Sequence, residues 1–331
     1  MIKKHRYAEW IARLLALALA VGLPLAAFVS RAGSGAVTVH AQMAETGGFM
    51  PDHLTARVGE PLRLRLTSDD VVHGFAIGQQ DWPALDLEPG KVTETALTFE
   101  RPGRYTFYCT RWCGLNHWRM RGVIDVTGPD TAPPATAVPP LYQELGISLD
   151  EPQPAADLPR SRPLPPPDAD LPARFLAPDY FRAHSPEQIA REIAAAQPDR
   201  SEQEAWDLAA FVWAQNTTPE RLAEGAALYA ANCAACHGST GAGNGPMAAA
   251  LTAGKDAPAG MEGMAGTSAT GPADFTDPAR MFGAAPARLQ GKLLRGGMGT
   301  GMPYFGPIFT DDQTWAVVEF LYSFVMGDNG Q

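Results

Sequence analysis

Residues 109–120 read CTRWCGLNHWRM, and they directly follow the run RYTFY at residues 104–108. Apolar side chains alternate along this run, which indicates a β-strand whose inward face carries Phe107 and ends at Cys109. Cys113 follows on the loop that leaves the strand. The stretch therefore predicts a β-domain with two thiols close together at the end of one strand.

Further strand signals surround this stretch. Three leucines alternate with arginines over residues 62–66, a second alternating run covers 93–99, and a short apolar run covers 122–126. Glycine and proline separate these runs, as they do at strand-to-strand turns. Short strands at this spacing predict a small all-β sandwich or barrel over residues 36–128.

The loop and one upstream histidine form the pattern H…C-x3-C-x3-H-x2-M, with His73, Cys109, Cys113, His117 and Met120. Thiolate, imidazole and thioether are soft ligands that favour copper over magnesium or calcium. A structural zinc site would hardly use methionine, and a disulfide would not need the flanking ligands. One cysteine with two histidines and a distant methionine would make a mononuclear blue copper site. Two cysteines on one loop also allow both thiolates to bridge a pair of coppers.

A second motif lies in the other half of the chain, where residues 233–237 read CAACH. This is the attachment signature of c-type haem, in which Cys233 and Cys236 bind the vinyl groups and His237 reaches the iron. A redox-active C-x-x-C is the alternative, but it needs no adjacent histidine and usually follows a strand. We therefore expect one covalently bound haem c.

The second axial ligand of this haem is predicted from residues 301–305, GMPYF. Proline after Met302 keeps the preceding residue extended, and methionine opposite histidine raises the haem potential for electron transfer. Met298 is the nearest rival in the sequence, and Met281 is a more distant one.

Composition agrees with two cofactor-bearing domains. The chain has 331 residues, which allows two or three compact units, and its four cysteines all fall in the two motifs. Twelve of its 30 prolines lie between residues 129 and 167. We interpret residues 129–170 as a proline-rich linker that buries little surface and spaces the two domains.

The N-terminus carries an export signal. Basic residues precede an apolar run at residues 14–29, so residues 1–32 are predicted to be a transmembrane anchor, with a cleaved signal peptide as the alternative. Residues 1–31 hold five basic side chains and one acidic one. The remaining 21 basic and 35 acidic side chains give the exported part a formal charge of −14. An acidic surface argues against nucleic acid and suits a basic partner.

From residue 171 onward the pattern is helical. One helix is predicted to begin at Pro219 after the cap residue Thr218, and the last helix begins at a capping box of Thr310 and Gln313. A weak repeat relates the segment 171–217 to the end of the chain. It matches Pro186, Ile189, Ile193, Trp206 and Phe211 with Pro286, Leu289, Leu293, Trp315 and Phe320. Two unrelated helix pairs are the alternative to an old duplication.

Three stretches carry a resemblance to a known family. VVHGFAI at 71–77, DLEPG at 86–90 and CTRWCGLNHWRM at 109–120 resemble the cupredoxin domain of cytochrome c oxidase subunit II, which carries the binuclear CuA centre. The resemblance implies that the backbone carbonyl of Arg111 is a further copper ligand. Arg111 stands where many members have a glutamate that also reaches a magnesium site, which an arginine cannot do. Asp86 matches the other acidic position of that site.

The same resemblance implies where electrons enter. An exposed aromatic side chain near CuA serves this role in the family, and Trp82, Trp112 and Trp118 are the candidates. Packing in the core is the alternative role for each.

The C-terminal part resembles a class I cytochrome c domain. Gly225 and Tyr229 on its first helix and Phe320 on its last match the crossing helices of that family. We place the cytochrome domain at residues 218–331. The segment 171–217 resembles a cytochrome domain without C-x-x-C-H or methionine, so it should bind no haem.

The order of anchor, CuA domain and cytochrome domain resembles subunit II of a haem-copper terminal oxidase of the cytochrome-c-fused kind. The resemblance implies electron transfer from an exported donor such as a cytochrome c through haem c and CuA to a polytopic subunit I, which reduces oxygen. It also implies assembly with other oxidase subunits in the cell membrane, with the soluble domains on the periplasmic side. The chain itself contains no oxygen-reducing centre. The electron-input subunit of a CuA-containing nitric oxide reductase and a free-standing exported electron carrier are the alternatives.

Overall fold

The computed structural model describes residues 35–114, 116–130, 139–153, 155–252, 271–297 and 301–326. Within them, a β-sandwich is followed by a helical region, as the sequence predicts. The predicted anchor at residues 1–32 lies outside the described residues. Among the residues that are described, no helix is long and apolar enough to cross a membrane.

The sandwich consists of two sheets with the strand orders β2-β1-β4-β7 and β3-β9-β8-β5-β6. Strand β1 pairs parallel with β4 and β3 pairs parallel with β9, whereas the other pairs are antiparallel. The strands are β1 Val37–Ala41, β2 Phe49–Met50, β3 His53–Arg57, β4 Pro61–Ser68, β5 His73–Ile77, β6 Leu85–Leu87, β7 Val92–Thr98, β8 Gly103–Tyr108 and β9 Arg121–Thr127.

The core of the sandwich follows from the alternation in the sequence. On β4, Leu64 and Leu66 are buried while the arginines between the leucines are exposed, which confirms the predicted strand. Phe49, Phe75 and Phe107 form an aromatic cluster with ring centroids 5.3 to 5.9 Å apart. Such pairs add about 0.5–1.5 kcal/mol beyond the burial of apolar area. This cluster supports β5, which begins at His73, and β8, which leads into the loop that carries both cysteines.

The helical region holds a second core. Its helices are α1 Leu141–Glu144, α2 Pro178–Ala183, α3 Pro186–Ala196, α4 Glu202–Gln215, α5 Pro219–Asn232, α6 Ala234–His237, α7 Ala248–Thr252, α8 Pro278–Gly283, α9 Pro286–Arg295 and α10 Asp311–Tyr322. The predicted starts of α5 and α10 are confirmed, because Thr218 accepts a bond from the backbone N–H of Arg221 and Thr310 forms a capping box with Gln313.

Helices α5 and α10 cross at a glycine. Gly225 lies directly against the backbone of Ala316 and the side chain of Phe320, so no side chain separates the helices there. Next to the crossing, Arg221 forms an ion pair with the buried carboxylate of Glu319, with Nε 2.8 Å from Oε2 and Nη2 3.0 Å from Oε1. A buried carboxylate without such a partner is costly, so this pair fixes how the helices meet.

The predicted segment 171–217 packs into the same core as the helices that follow it. The rings of Trp206 on α4 and Phe282 on α8 lie 5.0 Å apart, and the indole of Trp213 donates a 3.1 Å hydrogen bond to the backbone carbonyl of Glu319. The segment is therefore structurally continuous with the α5–α10 helices. Its origin as a duplicated, haem-less cytochrome domain stays a prediction.

Most described residues between 139 and 170 of the predicted linker are not buried, but several of them contact the helical region. Leu149 and Ala156 are buried, and Asp150 forms a two-point ion pair with Arg295 on α9. Arg162 donates hydrogen bonds to three carbonyl groups at the C-terminal end of α10. Single apolar side chains and arginine hydrogen bonds attach this segment to the helical region, although its sequence has no periodic apolar pattern.

We expect Gly225→Ala to destabilise the helical region. Alanine normally stabilises a helix interior by about 0.5–1 kcal/mol over glycine. A Cβ at position 225 would lie 2.7 Å from Cβ of Phe320, and overpacking of this kind costs about 1–3 kcal/mol. Denaturant unfolding of the haem-loaded protein, followed by haem absorbance, measures the change.

The matched control is Ala223→Gly at an exposed position of α5, which should cost about 1 kcal/mol through helix propensity alone. A more stable Gly225→Ala protein would show that the helices do not meet at this residue.

Candidate copper and haem sites

The fold brings the five predicted copper-binding side chains to one end of the sandwich. His73 begins β5, Cys109 directly follows β8, His117 lies in a 3-10 turn, and Met120 directly precedes β9. Strands β5 and β8 are paired, which carries His73 across to the cysteine loop. The backbone N–H of Cys109 donates a 3.0 Å hydrogen bond to the carbonyl of Met120 and closes the loop at its base.

The ligand atoms form two groups, one around each thiol. Around Cys109, Nδ1 of His73 lies 3.9 Å and the carbonyl oxygen of Arg111 lies 3.3 Å from the sulfur. Around Cys113, Nδ1 of His117 lies 3.4 Å from the sulfur. Each thiol therefore has an imidazole beside it, and His117 also reaches Cys109.

The two groups also lie against each other. The ligand atoms of His73, Cys109 and Cys113 all lie within 4.8 Å of one another, and Sδ of Met120 lies 3.2 Å from Sγ of Cys113. Cys109, His73, His117 and Met120 are buried, which excludes water from the site. The donor set is soft and compact, and it fits copper.

The environment favours a thiolate at one of the two cysteines. The hydrogen bond from Cys113 lowers the pKa of Cys109 to about 3, assisted against burial by His117 and His73. The pKa of Cys113 is raised, because its proton is held by Cys109 and because it is buried. The backbone N–H of Gly74 also donates to Sγ of Cys109. A soft metal needs such a thiolate as its ligand.

One residue of the site has no counterpart in the sequence-based prediction. The Oδ1 atom of Asp70 lies 2.7 Å from Nε2 of His73, and its Oδ2 atom accepts a 2.7 Å hydrogen bond from the backbone N–H of Met43. Burial opposes the charged form of Asp70, but the bonds from Met43 and His73 outweigh it and lower its pKa. Asp70 thereby orients the imidazole so that Nδ1 points to Cys109. A carboxylate three residues before a ligand histidine is the signal that could have found it.

Arg111 turns its side chain away from the thiols. Its guanidinium forms a two-point ion pair with Asp86, with Nε 2.8 Å from Oδ1 and Nη2 2.6 Å from Oδ2. Both side chains are exposed. The carboxylate predicted for a magnesium site is thus paired with a cation of the chain itself, while the carbonyl of Arg111 stays beside Cys109.

The three tryptophans differ in exposure. Trp82 and Trp112 are exposed, whereas Trp118 is half-buried. The ring of Trp112 lies 5.7 Å from the ring of His117, the shortest route here from an exposed indole to a predicted ligand. Their role as points where electrons enter stays a prediction.

The haem-attachment motif lies on the short helix α6, which begins directly after Cys233 and ends at His237. Nδ1 of His237 lies 2.9 Å from the carbonyl oxygen of Ala273, and its ring stacks on Phe275 with centroids 4.7 Å apart. Burial lowers the pKa of His237 and keeps the ring neutral. A neutral ring that donates through Nδ1 presents Nε2 as the atom for iron.

The two thiols of this motif suit covalent attachment. They lie three residues apart, and the second directly precedes His237, which is the spacing of a haem-attachment motif. Burial raises the pKa of Cys233 to about 12 and also raises that of Cys236. Met302 is half-buried beside the same core, and its carbonyl accepts a 3.1 Å hydrogen bond from Gly297. Met281 is fully buried on α8, and Met298 lies outside the described residues. These residues fit a haem c.

The sandwich with its cysteine, histidine and methionine loop defines a cupredoxin-type domain, and the helices with the attachment motif define a c-type cytochrome domain. The comparisons with known proteins agree. The family "Cytochrome C oxidase subunit II, periplasmic domain" matches residues 49–127, and the family "Cytochrome c" matches residues 222–324. The chain belongs to the cytochrome c oxidase subunit II family. The two families imply copper and haem as its cofactors.

Curated relatives and solved structures are similar to part of the chain. A cytochrome c oxidase subunit 2 of Thermus thermophilus is 34% identical over 98 residues, which are 30% of this chain and 71% of the relative. A second cytochrome c oxidase subunit 2 from the same species has the same identity and is covered over 57% of its length. The chain thus spans little more than half of that second relative.

Two solved structures share local similarity. A chain of a haem-copper terminal oxidase dimer is 26% identical, with 36% of this chain and 99% of that one covered and a TM-score of 0.25. The periplasmic domain of subunit II of cytochrome oxidase from Bradyrhizobium japonicum is 28% identical, with 23% and 54% covered and a TM-score of 0.22.

We expect Asp70→Asn to weaken copper binding by about 10–100-fold, the usual effect of removing a carboxylate that orients a ligand histidine. The amide has the same size but no charge, so Nδ1 of His73 becomes a weaker and less well-oriented ligand. Competition of the protein with a copper chelator measures the affinity.

Asp69→Asn is the control, because that neighbouring carboxylate bonds His40 and Gln42 on the surface. It should leave copper affinity unchanged. Equal affinities of the two variants would contradict a role of Asp70 in orienting His73.

Proposed function

We propose that the chain is the electron-input subunit of a haem-copper terminal oxidase, with a binuclear CuA centre in the sandwich and one haem c in the helical region. The observation that carries this proposal is the placement of two thiols and two imidazoles in one compact cluster at the end of the sandwich. When bound, the copper pair and the haem each accept and release one electron at a time. The remaining chemistry is the positioning of these groups by the chain.

The ligand geometry supports two coppers over one. A single blue copper needs one thiolate and two imidazoles, and Cys113 would then have no role. Here Cys109 lies with His73 and the Arg111 carbonyl, and Cys113 lies with His117 and Met120. In this proposal both thiolates bridge the pair, and the other groups complete the two ligand sets.

In the helical region, the proposed roles follow from local contacts. Cys233 and Cys236 would hold the haem covalently, and His237, through Nε2, and Met302 would bind its iron. The hydrogen bond of His237 to the carbonyl of Ala273 fixes the imidazole plane. The phenol of Tyr229 donates a 2.7 Å hydrogen bond to the carbonyl of Gly238, which holds the chain just beyond the attachment motif.

The proposal includes the rest of the complex. Electrons would come from an exported donor such as a cytochrome c, pass from haem c to CuA, and leave to a polytopic subunit I. The chain would be held in the cell membrane by residues 1–32, with the described residues on the periplasmic side. Its family membership supports association with other oxidase subunits.

Copper stoichiometry tests the centre. The purified complex should contain two coppers and one haem c for each copy of this chain beyond the metals of subunit I. Cys113→Ser removes one thiolate and should leave at most one copper in the sandwich, with haem c content unchanged as the internal control. A single copper in the sandwich of the wild-type protein would contradict the proposed binuclear centre.

Substrate consumption tests the complex. Isolated from membranes and supplied with a reduced cytochrome c, it should consume oxygen. Nitric oxide consumption without oxygen uptake would instead identify the electron-input subunit of a nitric oxide reductase.

A further inference from the structure

The copper-bearing and haem-bearing regions touch through their backbones. The backbone N–H of Gln79, just after β5, donates a 2.8 Å hydrogen bond to the carbonyl of Ile308, and its side-chain amide donates to the carbonyl of Gly306. Gln79 has a φ of 59°. This left-handed conformation is uncommon for residues other than glycine. The interdomain hydrogen bonds hold it in place.

Gly78 brings the two backbones into direct contact. A Cβ at this position would lie 2.9 Å from Cα of Ile308 and closer still to the carbonyl oxygen of Pro307. Real Cβ atoms essentially never come so near, so a side chain there would push the helical region away from the sandwich. The contact is specific in position, because backbone atoms cannot move aside as a flexible side chain can.

Arg121 provides a second link, directly beside a copper ligand. It follows Met120 in the chain, and its Nη1 atom donates a 3.0 Å hydrogen bond to the carbonyl of Tyr304. Its guanidinium lies 5.1 Å from the ring centroid of Tyr304 and 5.9 Å from that of Phe305. A cation held over the face of an aromatic ring at such a distance is attracted to it. Tyr304 is two residues from Met302, so one side chain joins the copper loop to the methionine loop.

A cavity also lies where the two regions meet. A small cavity between the regions is lined from the sandwich by Tyr108, Cys109, His117, Trp118, Met120 and Arg121. From the helical side it is lined by Asn232, Phe305 and Ile308. Asn232 directly precedes the haem-attachment residue Cys233. Predicted copper ligands therefore line this interface directly, and from the helical side it is lined by residues close in sequence to the predicted haem ligands.

We propose that these contacts hold the haem-bearing region in one fixed position on the copper-bearing region, with Gly78 and Arg121 as the positioning residues. This inference rests on the proposed function. One electron then passes between the two sites without movement of a domain, and no bond or proton changes. The alternative is a haem domain that swings on the proline-rich segment, but residues 139–170 bind to the helical region and provide no free tether there.

The first test measures the rate of electron transfer between the sites of the intact complex after flash reduction, as solvent viscosity is raised. Transfer within a fixed interface should have the same rate at every viscosity. A rate that falls in proportion to viscosity would show domain motion and overturn the inference. Copper and haem contents, measured first, separate the outcomes, because a missing copper pair would refute the proposed function instead.

The second test uses Gly78→Ala, with Gly35→Ala as the control because a Cβ at Gly35 meets nothing within 4 Å. Electron transfer slows as the distance between the two sites grows. We expect Gly78→Ala, whose Cβ must displace the backbone of Pro307 and Ile308, to slow transfer several-fold with both cofactors bound. The magnetic coupling between copper and ferric haem in pulsed EPR should weaken as well. Unchanged coupling and rate would overturn the role of Gly78.

Arg121→Lys provides an independent variant that keeps the charge but cannot reproduce the planar contact with two rings. It should broaden the distance distribution between the two centres seen by pulsed EPR and slow transfer. Arg104→Lys on the same sheet is its control, since Arg104 pairs with Asp125 instead. Identical distance distributions in both variants would refute a positioning role of Arg121.

Discussion

The backbone hydrogen bond between Cys109 and Met120 is the constraint on which the rest of the molecule depends. It extends the antiparallel pairing of β8 and β9 by one step, so that the loop between them must fold back over the end of the sandwich. That return places His117 and Met120 beside Cys113. It also fixes Arg121 as the next residue of β9, where its side chain reaches the helical region. One bond thus sets both the metal cluster and the interface.

The sequence allowed the sandwich and the predicted ligands to be located because their signals are local. Alternation reports which face of β8 is buried, and the spacing of Cys109, Cys113 and His117 reflects a single loop. Asp70 was not predicted as part of the site, because a carboxylate shortly before His73 is also typical of a turn. Only the fold shows that its partner is the imidazole. The role of Gly78 could not be predicted from the sequence for a related reason. A glycine signals flexibility, whereas its importance here comes from a backbone distant in sequence.

The helical region shows the limit of composition as a guide. A run rich in proline lacks the regular apolar spacing of a helix, so residues 139–170 gave no sign of packing. Single side chains such as Leu149 nevertheless find places between helices, and arginines such as Arg162 satisfy carbonyl groups at a helix end. Those carbonyl groups would otherwise have no partner in the helix. Periodic spacing of apolar residues reveals helices and strands. It does not reveal an irregular segment that contacts the core through single side chains.

The shared core of the helical region bears on where the smallest independently folding unit begins. The match to the cytochrome c family starts at residue 222. A fragment that begins there would lose Trp206 and Trp213, and the surfaces of α8 and α10 that these two side chains cover would become exposed to solvent. It would also lose Leu149 and the ion pair to Arg295. The packed unit around the attachment motif therefore includes α1, where Tyr142 lies against Gly291 on α9, and so extends well upstream of the boundary that sequence similarity defines.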